Sequence, residues 1–400
     1  MRNLETVTIH QFRGLRDLEL KDLGRINLLV GLNNSGKTSV LEALSVYCHP
    51  LDIKVWLSTA GQREQDMRVY RTRLLHALKW LFTHKSVSIL EPDKPIILIS
   101  STGLFSVKKL MASYEEMEEI WLSEGSNIRN LSNEEEIEND NEQEIENEYT
   151  PRVRKGIKLK IGVFPDDGYQ LSLLGEPSDL ITDFLLWEDE RSYRLPGKRE
   201  PSLKTSVVTP SSHRSEVGQF RLLSEATFQN FKSDVVKLLQ QMDNNISDIE
   251  ILLPPESMSS RFNIYIQHKK LGLAPVSTFG DGIRRLLHIA LKLASVKGGI
   301  LLIDELESTI HTEALQNSFQ WLVKWCTEMD VQLFATTHSL EAVDALLEVT
   351  ESDSDLVLYR LEPKEGKTKV VRKEGKTKVV RHDGHRLRRL REELGQEVRW

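Results

Sequence analysis

The chain has 400 residues, of which 39% are apolar and 28% charged, and a net charge of −7. This is the composition of a globular protein with a polar surface, long enough for two or three domains. It excludes a disulfide framework, since only Cys48 and Cys326 are present. It also speaks against blanket nucleic-acid binding, while leaving a local basic patch open. No apolar run approaches the roughly 18 residues that span a bilayer. The first residues carry no signal-peptide core, so the expected location is the cytoplasm, with no membrane partner.

In chain order, residues 4–12 and 17–22 alternate apolar and polar and predict an antiparallel hairpin. Phe12 and Arg13 end its first strand, where they could lie near a bound base; Phe12 as plain core is an equal reading. Residues 26–44 read strand, glycine-bounded loop, helix: Ile26–Val30, then Gly31-x-x-x-x-Gly36-Lys37-Thr38, then Val40, Leu41, Ala43 and Leu44 at helical spacing. Glycines at both ends let successive amides turn inward toward phosphate oxygens. The helix start adds its positive dipole end. Lys37 can reach the β- and γ-phosphates and Thr38 can bind Mg²⁺.

Residues 51–125 place Leu74, Leu75, Leu78 and Leu81 at helical spacing, while 95–100 and 159–164 read as strands. Residues 132–148 are acidic, of low complexity and free of aromatics, which predicts a solvated loop or a docking surface for a basic partner. A strand at 206–216 ends in a polar turn at Pro210. Residues 217–242 have a helical pattern with Leu222, Phe228, Phe231, Val235 and Leu238 near one face, and 246–253 and 262–268 read as strands.

Gly280-Asp281-Gly282 opens a helix with Ile283, Leu286, Leu287, Ala290 and Leu293 as its apolar stripe. Arg284, Arg285, His288 and Lys292 fall largely off that stripe. Gly299–Glu305 is an apolar strand ending in two carboxylates. Asp304 stands where a Mg²⁺-holding acid belongs, and Glu305 can polarise an attacking water. The strand 331–338 ends in Thr336, Thr337 and His338, which can bond a γ-phosphate or that water. KEGKTKVVR occurs at 364–372 and again at 373–381. One copy is expected to form the hairpin strand returning after Leu356–Tyr359. Residues 385–399 predict a short basic helix and tail, as a solvated face or a DNA-facing patch.

The stretches GLNNSGKTSVLEAL, VVTPSSHRSE, STFGDGIRRLLHIALKLA, GGILLIDELESTIH and VQLFATTHSLEAV come in the order of the ABC-type ATPases. More closely, the chain resembles stand-alone ABC/AAA-hybrid ATPases of the overcoming-lysogenization-defect (OLD) type. The resemblance covers both ends of the chain, roughly half of it. It implies an α/β phosphate-loop NTPase with a two-lobed ABC-like head, built from N-terminal antiparallel strands and a mixed core sheet, plus an inserted helical region. The implied boundaries are 1–50 and 206–350 for the head, 51–205 for an inserted helical or α+β lobe, and 351–400 for a hairpin and basic tail.

The implied cofactors are ATP and Mg²⁺. Nucleotide contacts would come from Gly31, Asn33, Asn34, Ser35, Gly36, Lys37, Thr38 and Ser39, with Arg13 beside them. Thr38 and Asp304 would hold the metal, and Lys37, Glu305 and His338 would serve catalysis. Ser277, Gly280, Asp281 and Gly282 would face the phosphate held by another copy, in a homodimer or larger homo-oligomer. Glu307 and His311 match the family's extension after the Asp-Glu pair, or cap a helix. The glutamine loop of ABC proteins has no clear counterpart; Ser212, His213 or Gln219 could serve. OLD nucleases carry a TOPRIM domain, for which the stretch after His338 is too short. The expectation is therefore an ATPase that controls a separate effector, a TOPRIM-type nuclease, in anti-phage defence of the PARIS kind. A DNA-repair or chromosome-maintenance ATPase and a nucleotide-gated scaffold with little turnover are the alternatives.

Overall fold

The computed structural model describes residues 2–64, 71–82, 95–123, 150–165, 180–188, 201–214, 218–253, 262–352, 355–363 and 377–399. The acidic stretch 132–148 and the first KEGKTKVVR copy lie outside these residues.

The strands β1 (Thr6–Phe12) and β2 (Leu15–Leu20) form the predicted hairpin, and β3 (Ile26–Gly31) leads into α1 (Lys37–Cys48). After α2 (Ile53–Gly61) and α3 (Arg71–Lys79) come β4 (Ile96–Thr102), β5 (Lys109–Ser123), β6 (Thr150–Phe164) and β7 (Leu180–Trp187). Next are β8 (Thr205–Val208), α4 (Gln219–Phe228), α5 (Lys232–Gln240), β9 (Ile246–Leu252), β10 (Asn263–His268) and β11 (Gly272–Pro275). The remaining elements are α6 (Asp281–Ser295), β12 (Ile300–Ile303), α7 (Thr312–Glu328), β13 (Gln332–Thr336), α8 (Leu340–Val349), β14 (Leu356–Pro363), β15 (Thr377–Asp383) and α9 (Gly384–Arg388).

Three sheets result. The central one has the order β15-β14-β3-β13-β12-β8, with all but β15 parallel. It is covered on both faces, so β3, β12 and β13 are wholly apolar or buried along their length. Alternate residues feed different cores. Ile26, Leu28 and Val30 join the core under α4 to α8, whereas Leu29 joins the core shared with α1 and the antiparallel strands. The second sheet, β2-β1-β4-β5-β6-β7, is antiparallel throughout. The third is the small antiparallel β11-β10-β9.

The strands read at 95–100 and 159–164 are present in β4 and β6, and β5 and β7 add strands that the sequence did not signal. They hydrogen-bond onto β1 through β4, so this part of the insertion extends the N-terminal sheet. The helical pattern at 217–242 is also two helices rather than one. Asn230 sits at φ 57° between them, a left-handed conformation that asparagine tolerates. The break leaves Phe228 87% exposed instead of on the apolar face. The second KEGKTKVVR copy supplies β15, whose Val379 and Val380 pair with Leu361 and Arg360 of β14.

Candidate active site

The site lies at the C-terminal ends of β3, β12 and β13, where parallel strands deliver their loops to one edge. Gly31 leaves β3 at φ 143°, and a Cβ there would stand 2.5 Å from the Leu361 carbonyl of β14. Gly36 enters α1 at φ 99° and Asn34 sits at φ 65°. The loop thus needs left-handed backbone at both glycines, as their spacing predicted. No side chain caps the first turn of α1, so its amides and positive dipole end are available to an anion. Asn33 and Asn34 are exposed, and Ser35 is buried under the loop. Lys37 is 6% exposed, and its ammonium donates to the carbonyls of Gly31 (2.9 Å) and Leu32 (3.0 Å). Burial lowers its pKa, against the pull of Asp304, Glu305 and Glu307.

The register that pairs Ile303 with Ala335 puts Asp304 beside Thr336. The Thr336 hydroxyl donates to Asp304 Oδ1 at 2.6 Å and accepts the Glu305 amide at 2.8 Å. From α1, Thr38 Oγ1 lies 3.1 Å from Asp304 Oδ2 and 3.3 Å from Oδ1. A hydroxyl and a carboxylate converging in this way fit a hard cation such as Mg²⁺, which takes oxygen ligands. Glu305 follows at φ 51°, and its carboxylate has no hydrogen-bond partner among the described residues. The His338 ring likewise has none. The turn carrying it is held by Glu307, whose Oε1 accepts the amides of His338 (2.9 Å) and Ser339 (3.2 Å). Glu307 thus caps the turn before α8. His311 stands at the N-cap position of α7 but makes no cap bond.

Arg285 was not expected here. It is fully buried, and its guanidinium donates to the carbonyls of Thr209 (3.0 Å), Asp304 (2.9 Å) and Glu305 (2.5 Å). It therefore ties α6 to the ends of β8 and β12. Burial lowers its pKa, while Glu305, Glu307 and Asp304 pull it back up. His288, read as off the stripe, is also buried. The buried face of α6 is accordingly wider than its apolar residues, because the helix packs against α4, α5 and α7 as well as β8.

A second cluster flanks the loop. Glu42 of α1, buried, accepts Arg13 Nη2 at 3.2 Å and Arg63 Nε at 2.9 Å, and Arg63 also donates to Ser39 Oγ at 2.9 Å. Arg13 is thus brought to the phosphate-loop helix, while Phe12 is wholly core. Arg63 and Glu42 carried no sequence signal beyond their charge. Together with Thr38, Asp304 and Thr209–Ser211 they border a cleft of about 230 Å³. Of the three candidates for a glutamine loop, none borders that cleft. Ser212 bonds back to Thr209, His213 is buried against Asp281, and Gln219 donates to the His213 carbonyl.

Ser277 and Gly280 are exposed at the start of α6. Asp281 binds Arg214 (2.7 Å), His213 (3.4 Å) and Arg284 (3.4 Å), and the Arg214 hydrogen bond lowers its pKa. Gly282 admits the Thr309 carbonyl, which would lie 2.9 Å from a Cβ. No hydrogen bond among the described residues joins 277–282 to the chain's own phosphate loop.

The parallel sheet with its phosphate loop, flanked by an antiparallel sheet, defines the two-lobed α/β head of a phosphate-loop ATPase fold. Residues 115–344 match the family described as "AAA domain, putative AbiEii toxin, Type IV TA system", and residues 3–160 match an AAA ATPase domain. The first match covers more than half of the chain, which belongs to that AAA family. An ATP/GTP phosphatase of Helicobacter pylori is 22% identical over 356 residues, covering 86% of this chain and 88% of that protein. An uncharacterised protein of Methanocaldococcus jannaschii is 45% identical over 69 residues, 17% of this chain and 60% of that one. Among solved structures, an Smc head bound to the C-winged helix domain of ScpA aligns over 95% of this chain and 98% of that one, at 12% identity and a TM-score of 0.47. Among the described residues, no helix is long and apolar enough to cross a membrane.

Proposed function

We propose that this protein is a Mg²⁺-dependent ATPase whose complete site forms between copies of the chain, and that its nucleotide state controls a separate effector. The observation that carries the hydrolytic part is the convergence of Thr38 on Asp304 beside the unpartnered Glu305 carboxylate. The 22% identical ATP/GTP phosphatase supports nucleotide hydrolysis over most of the chain's length. In this reading the loop amides from Gly31 to Thr38 and the Lys37 ammonium bind the phosphates. Thr38 and Asp304 hold Mg²⁺, which when bound offsets the negative charge of the phosphates. Glu305 accepts the proton of the attacking water, and His338 hydrogen-bonds the γ-phosphate. Arg13 and Arg63, fixed by Glu42, flank the nucleotide.

The exposed start of α6 supports the shared site. Ser277, Gly280 and Gly282 are free of the chain's own loop and would offer amides to the γ-phosphate of a second copy. ATP then holds two heads together and hydrolysis releases them. A switch of this kind suits the OLD-type reading, in which a TOPRIM-type nuclease is the effector in anti-phage defence. A family description that names a toxin and its system supports such a partner-dependent role.

Mg²⁺-ATP turnover of wild type and Glu305→Gln, with particle size followed by light scattering, tests both parts. The expected result is a loss of turnover of roughly 10²-fold or more and a larger particle trapped by ATP. Unchanged turnover together with an ATP-independent size rejects the reading.

A further inference from the structure

We propose that Arg399, held by Glu397, is a positioning residue for His338, so that the pair sets how the γ-phosphate is sensed. This deepens the ATPase reading and rests on it. The peptide unit before His338 is held through its N–H, which donates to Glu307 Oε1 at 2.9 Å. The unit after it is held at both ends: its N–H, on Ser339, is shared between the same oxygen at 3.2 Å and Thr337 Oγ1 at 3.0 Å, and its carbonyl accepts Arg399 Nη1 at 2.7 Å. With both flanking peptides fixed, φ and ψ of His338 are fixed, and with them the direction in which its Cα–Cβ bond leaves the turn and the rotamers open to the ring. Glu307 reaches the turn from the Asp304–Glu305 side. Arg399 reaches it from the opposite end of the sequence.

Arg399 is itself preorganised. Its Nε and Nη2 donate to the two oxygens of Glu397, each at 2.8 Å, a fork geometry that fixes the guanidinium plane. Val398 between them is 1% exposed and belongs to the core that contains Ala342, Val343 and Leu346 of α8. Arg391 grips Asp344 of α8 through two bonds of 2.7 Å, and Arg388 donates to the Thr350 carbonyl at the end of that helix. Residues 388–399 therefore run along α8 from its end back to the His338 turn.

The test compares Arg399→Ala, Arg399→Lys and the exposed control Arg389→Ala, each in wild-type and His338→Ala backgrounds. Two quantities are read: kcat and KM for Mg²⁺-ATP, and the ratio of Kd for a nonhydrolysable ATP analogue to that for ADP. Arg399→Ala is expected to lower kcat, or to erode the triphosphate preference, by roughly tenfold, the size of one charge-assisted hydrogen bond. Arg399→Lys, which keeps a donor, recovers part of the loss, and Arg389→Ala matches wild type. In the His338→Ala background the Arg399→Ala effect disappears. Equal losses in both backgrounds would mean a general structural role and overturn the proposal, as would no loss in either. Glu397→Gln is the gentler second variant, expected to give an intermediate loss. If wild type shows no Glu305-dependent turnover, the ATPase reading fails, and the Kd ratio still decides the Arg399 assignment.

Discussion

The two six-stranded sheets of this protein use similar apolar material for different ends. In the parallel sheet, β3, β12 and β13 are buried on both faces and all end at the same edge. That edge gathers Lys37, Asp304, Thr336 and His338 from widely separated parts of the sequence. In the antiparallel sheet, neighbouring strands end at opposite edges, so no comparable cluster of strand ends forms. One of its faces is core, with Ile97, Ile99, Leu110, Ala112, Leu159 and Ile161 buried. The other leaves Met111, Ile181 and Leu185 exposed. Chemistry collects where strand direction is uniform, and the antiparallel sheet serves as support for α1 and its loop.

Substitutions at matched positions sharpen this contrast. The largest effect is expected at Arg285, whose removal leaves three part-buried carbonyls at the ends of β8 and β12 without their donor and a cavity in place of its buried side chain. Arg285→Met should cost about 3 kcal/mol in denaturant unfolding and should lower Mg²⁺-ATP turnover as well, since the Glu305 turn loses its anchor. A protein that keeps wild-type stability and turnover would refute this role.

An intermediate effect concerns His288, on the same helix. Burial pushes its folded pKa down to about 3 from 6.5, with Lys292, His213 and Arg285 adding to the shift. The unfolded chain therefore binds this proton first as pH falls. The group's contribution is intact above pH 6.5 and erodes below it by up to about 1.4 kcal/mol per pH unit, down to about pH 3. Unfolding free energies measured from pH 7 to 4 should show His288→Leu flattening part of the slope; an unchanged slope would place the acid sensitivity elsewhere.

The smallest effect is expected on the antiparallel sheet. Met111→Ser, on its exposed face, should change stability by no more than about 0.5 kcal/mol and leave turnover alone. A large loss of turnover there would erase the distinction between the two sheets.

The site was legible in the sequence where its parts are local. The phosphate loop is a run of residues whose glycines, lysine and threonine act within one turn of chain, and strand, loop and helix occur where the pattern put them. The strands leading to Asp304, Glu305 and His338 were legible for the same reason, being continuous apolar runs followed by polar side chains. Arg285 was misread because its helix gave only a one-dimensional stripe. Whether a position off that stripe meets water or the carbonyls of β8 and β12 depends on what packs beside it. The partnership of Arg13, Glu42 and Arg63 was hidden likewise, since their ion pairs join the end of β1, the middle of α1 and the turn after α2. The strand β5 was missed because its run of glutamates lies in a stretch read as helical.

The sequence by itself determined that the chain holds a phosphate loop, an Asp-Glu strand and a strand ending in histidine, because each is set by short-range backbone geometry. Only the tertiary structure decided that Thr38 faces Asp304 at 3.1 Å, that Glu307 and Arg399 hold the two sides of His338, and that β4 to β7 extend the antiparallel sheet of β1 and β2. Those facts depend on strand order and register, which arise from the packing of distant segments against one another and leave no local pattern to read.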